Sequence, residues 1–246
     1  MPKIVSALRK RVSIARVRAT QNGAEVASGL RIFEDAKRLY RRGFRQYRVA
    51  FDLLKRAAAT GCQDAHEWLG AAYDYGLGTR PNRALAFDHY RKAAGPRKPN
   101  AEYHVGIFYL EGRGVRKDQK SAVSWLRKAA RHGDNTALHV LGQCYRYGRG
   151  VGKDLRRGFV LELRAARRGV TEAQFSTGVC LSKGQGVRAN PREAFRWYLE
   201  AARKGHDEAA HNVAYFYETG RGVRKNGDRA KEWYARAQQI RNGRKS

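Results

Sequence analysis

The sequence predicts an all-α solenoid, a right-handed αα superhelix of about five to six helix-turn-helix repeats of 36 residues each. Three sets of small residues carry this prediction, because each set recurs without a slip at intervals of 36. They are single residues (Gly70, Gly106, Gly142, Gly178, Ala214), Gly-x-Gly pairs (beginning at Gly76, Gly112, Gly148, Gly184, Gly220) and alanine pairs (beginning at Ala57, Ala93, Ala129, Ala165, Ala201). A fixed period of this length is typical of chains in which each unit buries its apolar face against its neighbours.

The first half of each period predicts a helix, called helix A below. In the period that starts at Ala101, the apolar residues Val105, Phe108 and Tyr109 follow at helical spacing. Gly112 is expected to end this helix, because glycine adopts the left-handed conformation of a helix C-terminus without steric cost.

The second half predicts helix B. Asp118 is expected to cap its N-terminus through the side-chain oxygen. A later copy repeats this start, with Asn190 as the cap, Pro191 in the first turn and Glu193 completing a capping box. The buried stripe of helix B is supplied by apolar and small residues (Ala122, Val123, Trp125, Leu126, Ala129, Ala130).

These elements predict three segments. Residues 1–28 form a basic, Arg-rich N-terminal arm, residues 29–241 form the solenoid, and residues 242–246 form a basic tail. The repeats are expected near 29–64, 65–100, 101–136, 137–172, 173–208 and 209–241.

Composition bounds the partner and the compartment. The formal charge of +29 favours contact with nucleic acid or another polyanion, although a compositional bias of the genome or a need for solubility would also explain it. The arm resembles a mitochondrial transit peptide, and equally a basic binding arm or a frayed terminus. Three cysteines are too few for a disulfide framework, and no transmembrane segment is predicted. We therefore expect an intracellular, reducing compartment, either the cytoplasm or the mitochondrial matrix.

The repeat resembles the Sel1-like repeat family of αα solenoids, relatives of the tetratricopeptide repeats. The resemblance is carried by Leu69-Gly70, Tyr73, Gly112-Arg113-Gly114-Val115, Asp118, Trp197-Tyr198 and Ala201-Ala202. It implies a chain that works by displaying a surface to protein partners.

No motif predicts catalysis, a cofactor or a metal. The Gly-x-Gly pairs followed by Arg and Lys resemble a phosphate loop, but they end helices and occur five times. His206 and His211 are five residues apart, so their rings leave the helix on different faces. We expect a protein without enzymatic activity.

In αα solenoids of this kind helix A lines a concave groove, and four positions per repeat point into it. Their residues include six carboxylates and one arginine, Arg146. The groove is predicted to have an apolar centre and acidic ends, which suits a peptide or helix with apolar anchors and basic flanks. The candidate partner-binding residues are Tyr103, Ile107, Leu110, His139, Arg146, Phe175, Val179, His211 and Tyr215.

Positive charge is predicted along two edges, at the Gly-x-Gly turns and at the ends of helix B. The candidate residues are Arg113, Arg116, Lys117, Arg131, Arg149, Arg167, Arg203, Arg221 and Arg224. We therefore predict an adaptor or scaffold that binds a protein segment in the groove and an anionic partner along the edges. The alternative is a nucleic-acid-associated structural protein that acts through its edges and arm.

Overall fold

In the computed structural model, residues 28–39, 41, 43 and 46–243 are described, and their regular elements are all helices. Helix α1 covers residues 28–39. The others are α2 (Tyr47–Ala59), α3 (Gln63–Tyr75), α4 (Arg83–Ala93), α5 (Pro99–Glu111), α6 (Gln119–Arg131), α7 (Asn135–Tyr147), α8 (Leu155–Arg167), α9 (Thr171–Lys183), α10 (Pro191–Arg203), α11 (Asp207–Thr219) and α12 (Gly227–Gly243). The prediction of an all-α repeat fold is confirmed.

The helices keep the 36-residue period of the sequence. Helix A appears as α3, α5, α7, α9 and α11, each 13 residues long. Helix B appears as α2, α4, α6, α8, α10 and α12, whose first residues lie 36 apart from Tyr47 to Gly227. Equivalent residues of different repeats can therefore be compared by adding multiples of 36.

The first glycine of each Gly-x-Gly pair ends helix A as predicted. Gly112 lies in the left-handed region at φ 76°, and its N–H donates to the carbonyl of Phe108 at 2.8 Å. Gly76, Gly148, Gly184 and Gly220 have the same conformation at the end of the other A helices.

The second glycine has a role that the sequence did not predict. A Cβ atom on Gly150 would lie 2.0 Å from the carbonyl oxygen of Gln119, the first residue of α6 in the preceding repeat. A Cβ on Gly186 would meet Leu155, the first residue of α8, at 2.1 Å. Glycine at this position therefore lets the turn of one repeat touch the start of helix B in the repeat before it.

The predicted caps of helix B are confirmed. The Asp118 side chain accepts hydrogen bonds from the backbone N–H groups of Lys120 and Ser121. Asn190 accepts from the N–H of Glu193 at 3.1 Å, with Pro191 in the first turn of α10.

The chain divides into two compact units. The first contains residues up to 108 together with 112–116, and the second contains 109–111 and the residues from 117 onward. The core of the first unit includes Phe51, Leu54 and Leu69. In the second unit, Cys180 and Tyr198 belong to the buried core, and Trp197 and Trp233 pack against this core.

The three cysteines lie in the interior. Cys62, Cys144 and Cys180 are all buried free thiols. None of the helices in the described part combines the length and hydropathy that a bilayer crossing requires. The predicted N-terminal arm, apart from residue 28, and the last three residues of the predicted tail lie outside the described residues.

Candidate functional site

A pocket of about 490 Å³ lies between α9 and α11 in the second unit. It brings together four of the predicted groove residues, Phe175 and Val179 from α9 and His211 and Tyr215 from α11. All four occupy helix-A positions that the repeat register assigns to one face, which is why two successive A helices place them side by side. We call this site the α9/α11 pocket.

Aromatic rings form the floor and one wall of the α9/α11 pocket. Phe175 stacks on His206 with ring centroids 4.4 Å apart and lies 5.9 Å from the ring of Tyr198, which is 3% exposed. Tyr215, by contrast, is 43% exposed. Phe175 is thus held by its neighbours, whereas Tyr215 presents a free ring face to solvent.

Tyr198 is a pocket residue that the sequence analysis missed as part of the site. It belongs to helix B, and its ring lies on Gly178 of helix A, where a Cβ would approach the ring to 2.7 Å. Gly178 of helix A and Tyr198 of the Trp-Tyr motif recur in fixed register, and this pairing could have predicted an aromatic ring beneath the groove.

The rim of the α9/α11 pocket is basic. Lys183, Arg221 and Arg241 lie on it with the single carboxylate Glu208. Arg221 donates to the Ser182 carbonyl at 2.7 Å, which fixes its guanidinium beside the opening. The sequence predicted acidic ends for the groove, whereas this rim carries three cations, one from the last residue of α9 and two from residues outside helix A.

Three other predicted groove residues are largely inside the fold. Leu110, His139 and Arg146 are 9%, 7% and 8% exposed. Burial lowers the pKa of His139 to about 4, so its ring is neutral at pH 7. Arg146 forms an ion pair with Glu162 at 3.4 Å in the interior and therefore offers little charge to a partner. Its helix position faces neighbouring helices rather than open solvent.

In the first unit, Tyr103 and Ile107 are partly exposed on α5. The carboxylates predicted to line that part of the groove already have counterions. Lys98 forms ion pairs with Asp64 and Glu67. Asp74, which is 8% exposed, accepts a hydrogen bond from Arg113.

The predicted edge residues fall into three groups according to their contacts. Arg113 and Arg221 bind acceptors 39 residues earlier and so connect consecutive repeats, although Arg221 remains exposed. Arg149 lies over the ring of Tyr147, and Arg203 pairs with Glu200. The remaining edge residues are exposed: Arg116, Lys117, Arg131, Arg167 and Arg224.

Potential metal ligands do not cluster within the described residues. No set of three or more His, Cys, Asp or Glu side chains is arranged to hold a metal ion there. His206 instead caps α11, since its ring accepts a hydrogen bond from the N–H of Ala209 at 3.3 Å.

Paired helices at a constant period, with an open aromatic pocket on helix A, define a helical-repeat protein of the αα-solenoid class. The chain belongs to the Sel1 repeat family, whose model matches residues 33–62, 63–94, 99–134, 136–170, 171–206 and 207–237. Sel1 repeat proteins generally serve in protein–protein interaction scaffolds and are typically non-enzymatic.

Solved structures agree with this assignment. A Sel1 repeat protein from Oxalobacter formigenes is 34% identical with a TM-score of 0.72, over 77% of this chain and 76% of that one. A protective antigen of uropathogenic Escherichia coli with the same fold is 27% identical with a TM-score of 0.79, over 89% of this chain and 48% of its own. An immunity protein from Pseudomonas aeruginosa, at 21% identity and a TM-score of 0.56 over 87% and 82%, shares the fold alone. The search of curated proteins gave no match.

Proposed function

We propose that this protein is a non-catalytic adaptor that holds a segment of a partner protein in the α9/α11 pocket. The observation that carries the proposal is the pairing of an exposed tyrosine, Tyr215, with a buried aromatic floor, Tyr198, in an open pocket of about 490 Å³. Tyrosine and arginine are the side chains that most often dominate binding energy at protein interfaces.

The polar groups of the pocket suit a polypeptide. His211 and Asn212 of α11 and Ser182 of α9 line it beside the rings. These groups can pair with backbone N–H and C=O groups while an apolar side chain of the partner fills the space between Phe175 and Tyr215. The basic rim favours a segment with acidic residues next to that anchor.

The exposed edge cations supply the second part of the proposal. Arg116, Lys117, Arg131, Arg167 and Arg224 are free of the repeat-to-repeat contacts that engage Arg113 and Arg221. Exposed charges of one sign accelerate association with an anionic partner and weaken in salt. We assign them to that long-range attraction, with the pocket giving the specific contact.

The pocket is tested by Tyr215→Ser, with Tyr75→Ser as the matched control because Tyr75 is also an exposed helix-A tyrosine, at 64%. Affinity capture from the native cell extract, quantified for each protein, should show at least a tenfold loss of specific partners for Tyr215→Ser, since a hot-spot side chain contributes about 2 kcal/mol or more. The control should retain them. Equal recovery by the two variants would contradict the pocket assignment.

Salt and nuclease separate a protein partner from nucleic acid. Capture should survive nuclease treatment and about 0.5 M salt if an apolar anchor holds the partner, because phosphate contacts weaken steeply with salt. Complete loss of the captured proteins after nuclease would favour the structural, nucleic-acid-associated alternative.

A further inference from the structure

A second opening, on the pair α7 and α8, differs from the α9/α11 pocket in position and chemistry. It has a volume of about 540 Å³ and apolar walls formed by Leu141, Tyr145, Val160 and Leu161. Val160 is 49% exposed although it is aliphatic. We call this the α7/α8 cleft.

The next repeat shows that the cleft is not a general feature of the fold. The equivalent opening on α10 has about 340 Å³ and is lined mainly by charged side chains. Arg196 stands where α8 has Val160, and Trp197 stands where α8 has Leu161. Compared with α10, α8 therefore has an apolar side chain in place of a charged one and, at the next position, a leucine in place of a tryptophan.

In two other repeats a residue of the following helix B covers the corresponding tyrosine. In the first unit His89 stacks on Tyr73 with ring centroids 5.4 Å apart. On α12 the guanidinium of Arg229 lies 5.6 Å from the ring of Tyr217 and donates to its hydroxyl. Each of these tyrosines is shielded by a residue of the following helix B.

In the repeat with the cleft, the residue equivalent to Arg229 is Arg157, and it does not cover the tyrosine. Arg157 pairs with Asp154, the N-cap of its own helix, at 3.2 Å. The Tyr145 hydroxyl instead accepts a hydrogen bond from Arg127 of α6, at 2.8 Å, which holds the ring at the side of the opening. The Arg127 guanidinium also lies over the Tyr145 ring, 5.9 Å from its centroid, so the most exposed apolar side chain of the cleft is Val160.

Charge around the α7/α8 cleft is positive. Arg156 and Arg157 lie on its rim, and Arg127 contacts its wall through Tyr145. The only carboxylate on the rim, Asp154, is engaged as a helix cap by the N–H of Arg157 and as the ion-pair partner of its side chain. A ligand therefore meets apolar side chains beside two arginines, of which Arg156 has no ion-pair partner on the rim and Arg157 already pairs with Asp154.

From this geometry we propose that the α7/α8 cleft is a second protein-docking site, distinct from the α9/α11 pocket, and that its occupant is an amphipathic acidic segment of a partner protein. Leucine-type side chains of that segment enter the space beside Val160 and Leu161. Its carboxylates face Arg156 and Arg157, with the charge complementarity that sets partner choice at protein interfaces. A site at this place would let one chain hold two partners at once, as a scaffold requires.

The test uses the full chain and two synthetic peptides of about 14 residues, a length of about four helical turns. One peptide has leucines on one helical face and glutamates elsewhere, and the other has lysines in place of the glutamates. Binding is measured by fluorescence anisotropy. The Glu peptide should bind, and the Lys peptide should bind at least tenfold more weakly.

The matched variant gives α8 the residues of α10. Val160→Arg with Leu161→Trp should weaken the Glu peptide at least tenfold, whereas Tyr215→Ser should leave its affinity unchanged. Val160→Asp is a second variant. Since half of the Val160 side chain is exposed, this change should leave the core intact, and it should also weaken binding of the Glu peptide.

Three results would overturn the proposal. They are equal affinity for the two peptides, unchanged affinity of the Glu peptide for both α8 variants, and loss of binding in Tyr215→Ser, which would place the peptide in the other pocket. Sedimentation velocity of the wild type supplies a fourth, since a dimer abolished by Val160→Asp would identify the occupant as a second copy.

Discussion

Two neighbouring helix pairs of the second unit, α7/α8 and α9/α10, fill the same core position in different ways. On α9/α10 the small residue Gly178 lies against the ring of Tyr198. On α7/α8 the equivalent Gly142 lies against the side chain of Glu162, which is fully buried. One pair thus has an aromatic core contact and the other a buried carboxylate.

The carboxylate is balanced by a cation from the same helix pair. Arg146 of α7 lies 3.4 Å from Glu162, and both contact the thiol of Cys180, which accepts from Arg146 and donates to Glu162. Burial raises the pKa of this thiol to about 11, so it remains protonated at neutral pH. Among the described residues, Arg146 Nε and Glu162 Oε1 have no hydrogen-bond partner.

The difference teaches that the repeat fixes backbone geometry more strictly than core chemistry. At both Gly142 and Gly178 an added Cβ would come within 2.7 Å of the side chain above it, whether that side chain is a carboxylate or a ring. The ring of Tyr198 needs no counterion. Glu162, in contrast, needs Arg146, because a single unpaired charge in the interior lowers stability strongly. This asymmetry can be tested by substitutions in one pair that copy the other.

The largest effect is expected when one partner of the ion pair is neutralised. Glu162→Gln leaves Arg146 buried without a counterion, which should lower the free energy of unfolding by about 3 to 5 kcal/mol. The control is Glu200→Gln, which breaks an exposed pair with Arg203 and should change stability by less than about 1 kcal/mol. Urea unfolding followed by circular dichroism measures both. Similar values for the two variants would show that the buried pair contributes no more than a surface one.

Replacing both partners should have the opposite result. Arg146→Ser with Glu162→Tyr installs the residues of the neighbouring pair, Ser182 and Tyr198, over the same glycine. Replacing a buried ion pair by well-packed uncharged residues avoids the cost of burying two charges, so this variant should unfold at the wild-type denaturant concentration or above it. A double variant less stable than Glu162→Gln would mean that the α7/α8 backbone does not admit the ring.

The sequence predicted the period, the glycine helix ends and the caps, because these depend on local backbone conformation. Four residues of the α9/α11 pocket followed from the repeat register alone. The register could not show that Arg146 turns inward, because that depends on Glu162, which lies 16 residues away on another helix. Nor could it show that Arg113 and Arg221 are used in contacts between repeats, since side-chain partners 39 residues apart leave no local pattern.

A glycine in helix B provides a subtler comparison. The other repeats have alanine at this position (Ala86, Ala122, Ala194, Ala230), but α8 has Gly158. A Cβ on Gly158 would lie 2.9 Å from the carbonyl oxygen of Gly142 and 3.3 Å from Cβ of Arg146.

Gly158→Ala should therefore destabilise the protein by about 1 kcal/mol, the balance of overpacking and the improved helix propensity of alanine. Ala194→Gly, the reverse exchange on α10, should cost about 1 kcal/mol through helix propensity and somewhat more through the loss of a buried methyl group. Thermal unfolding of the two variants gives the comparison. A stabilised Gly158→Ala would indicate that α7 and α8 can separate without loss.

The smallest effect concerns pH and separates the two cores most directly. Burial raises the pKa of Glu162 above its ordinary value of 4.5, and the attraction of Arg146 offsets part of this. A group whose pKa is higher in the folded state binds protons more tightly there, so its contribution to stability falls as pH rises from the unfolded to the folded pKa. The wild type should consequently lose stability relative to the double variant as pH rises from about 4.5.

The measurement is the difference in unfolding free energy between the two proteins at several pH values, in which the titration of all shared groups cancels. A difference that stays constant, or that changes in favour of the wild type as pH rises, would show that Arg146 compensates the carboxylate fully and that the two cores are energetically alike.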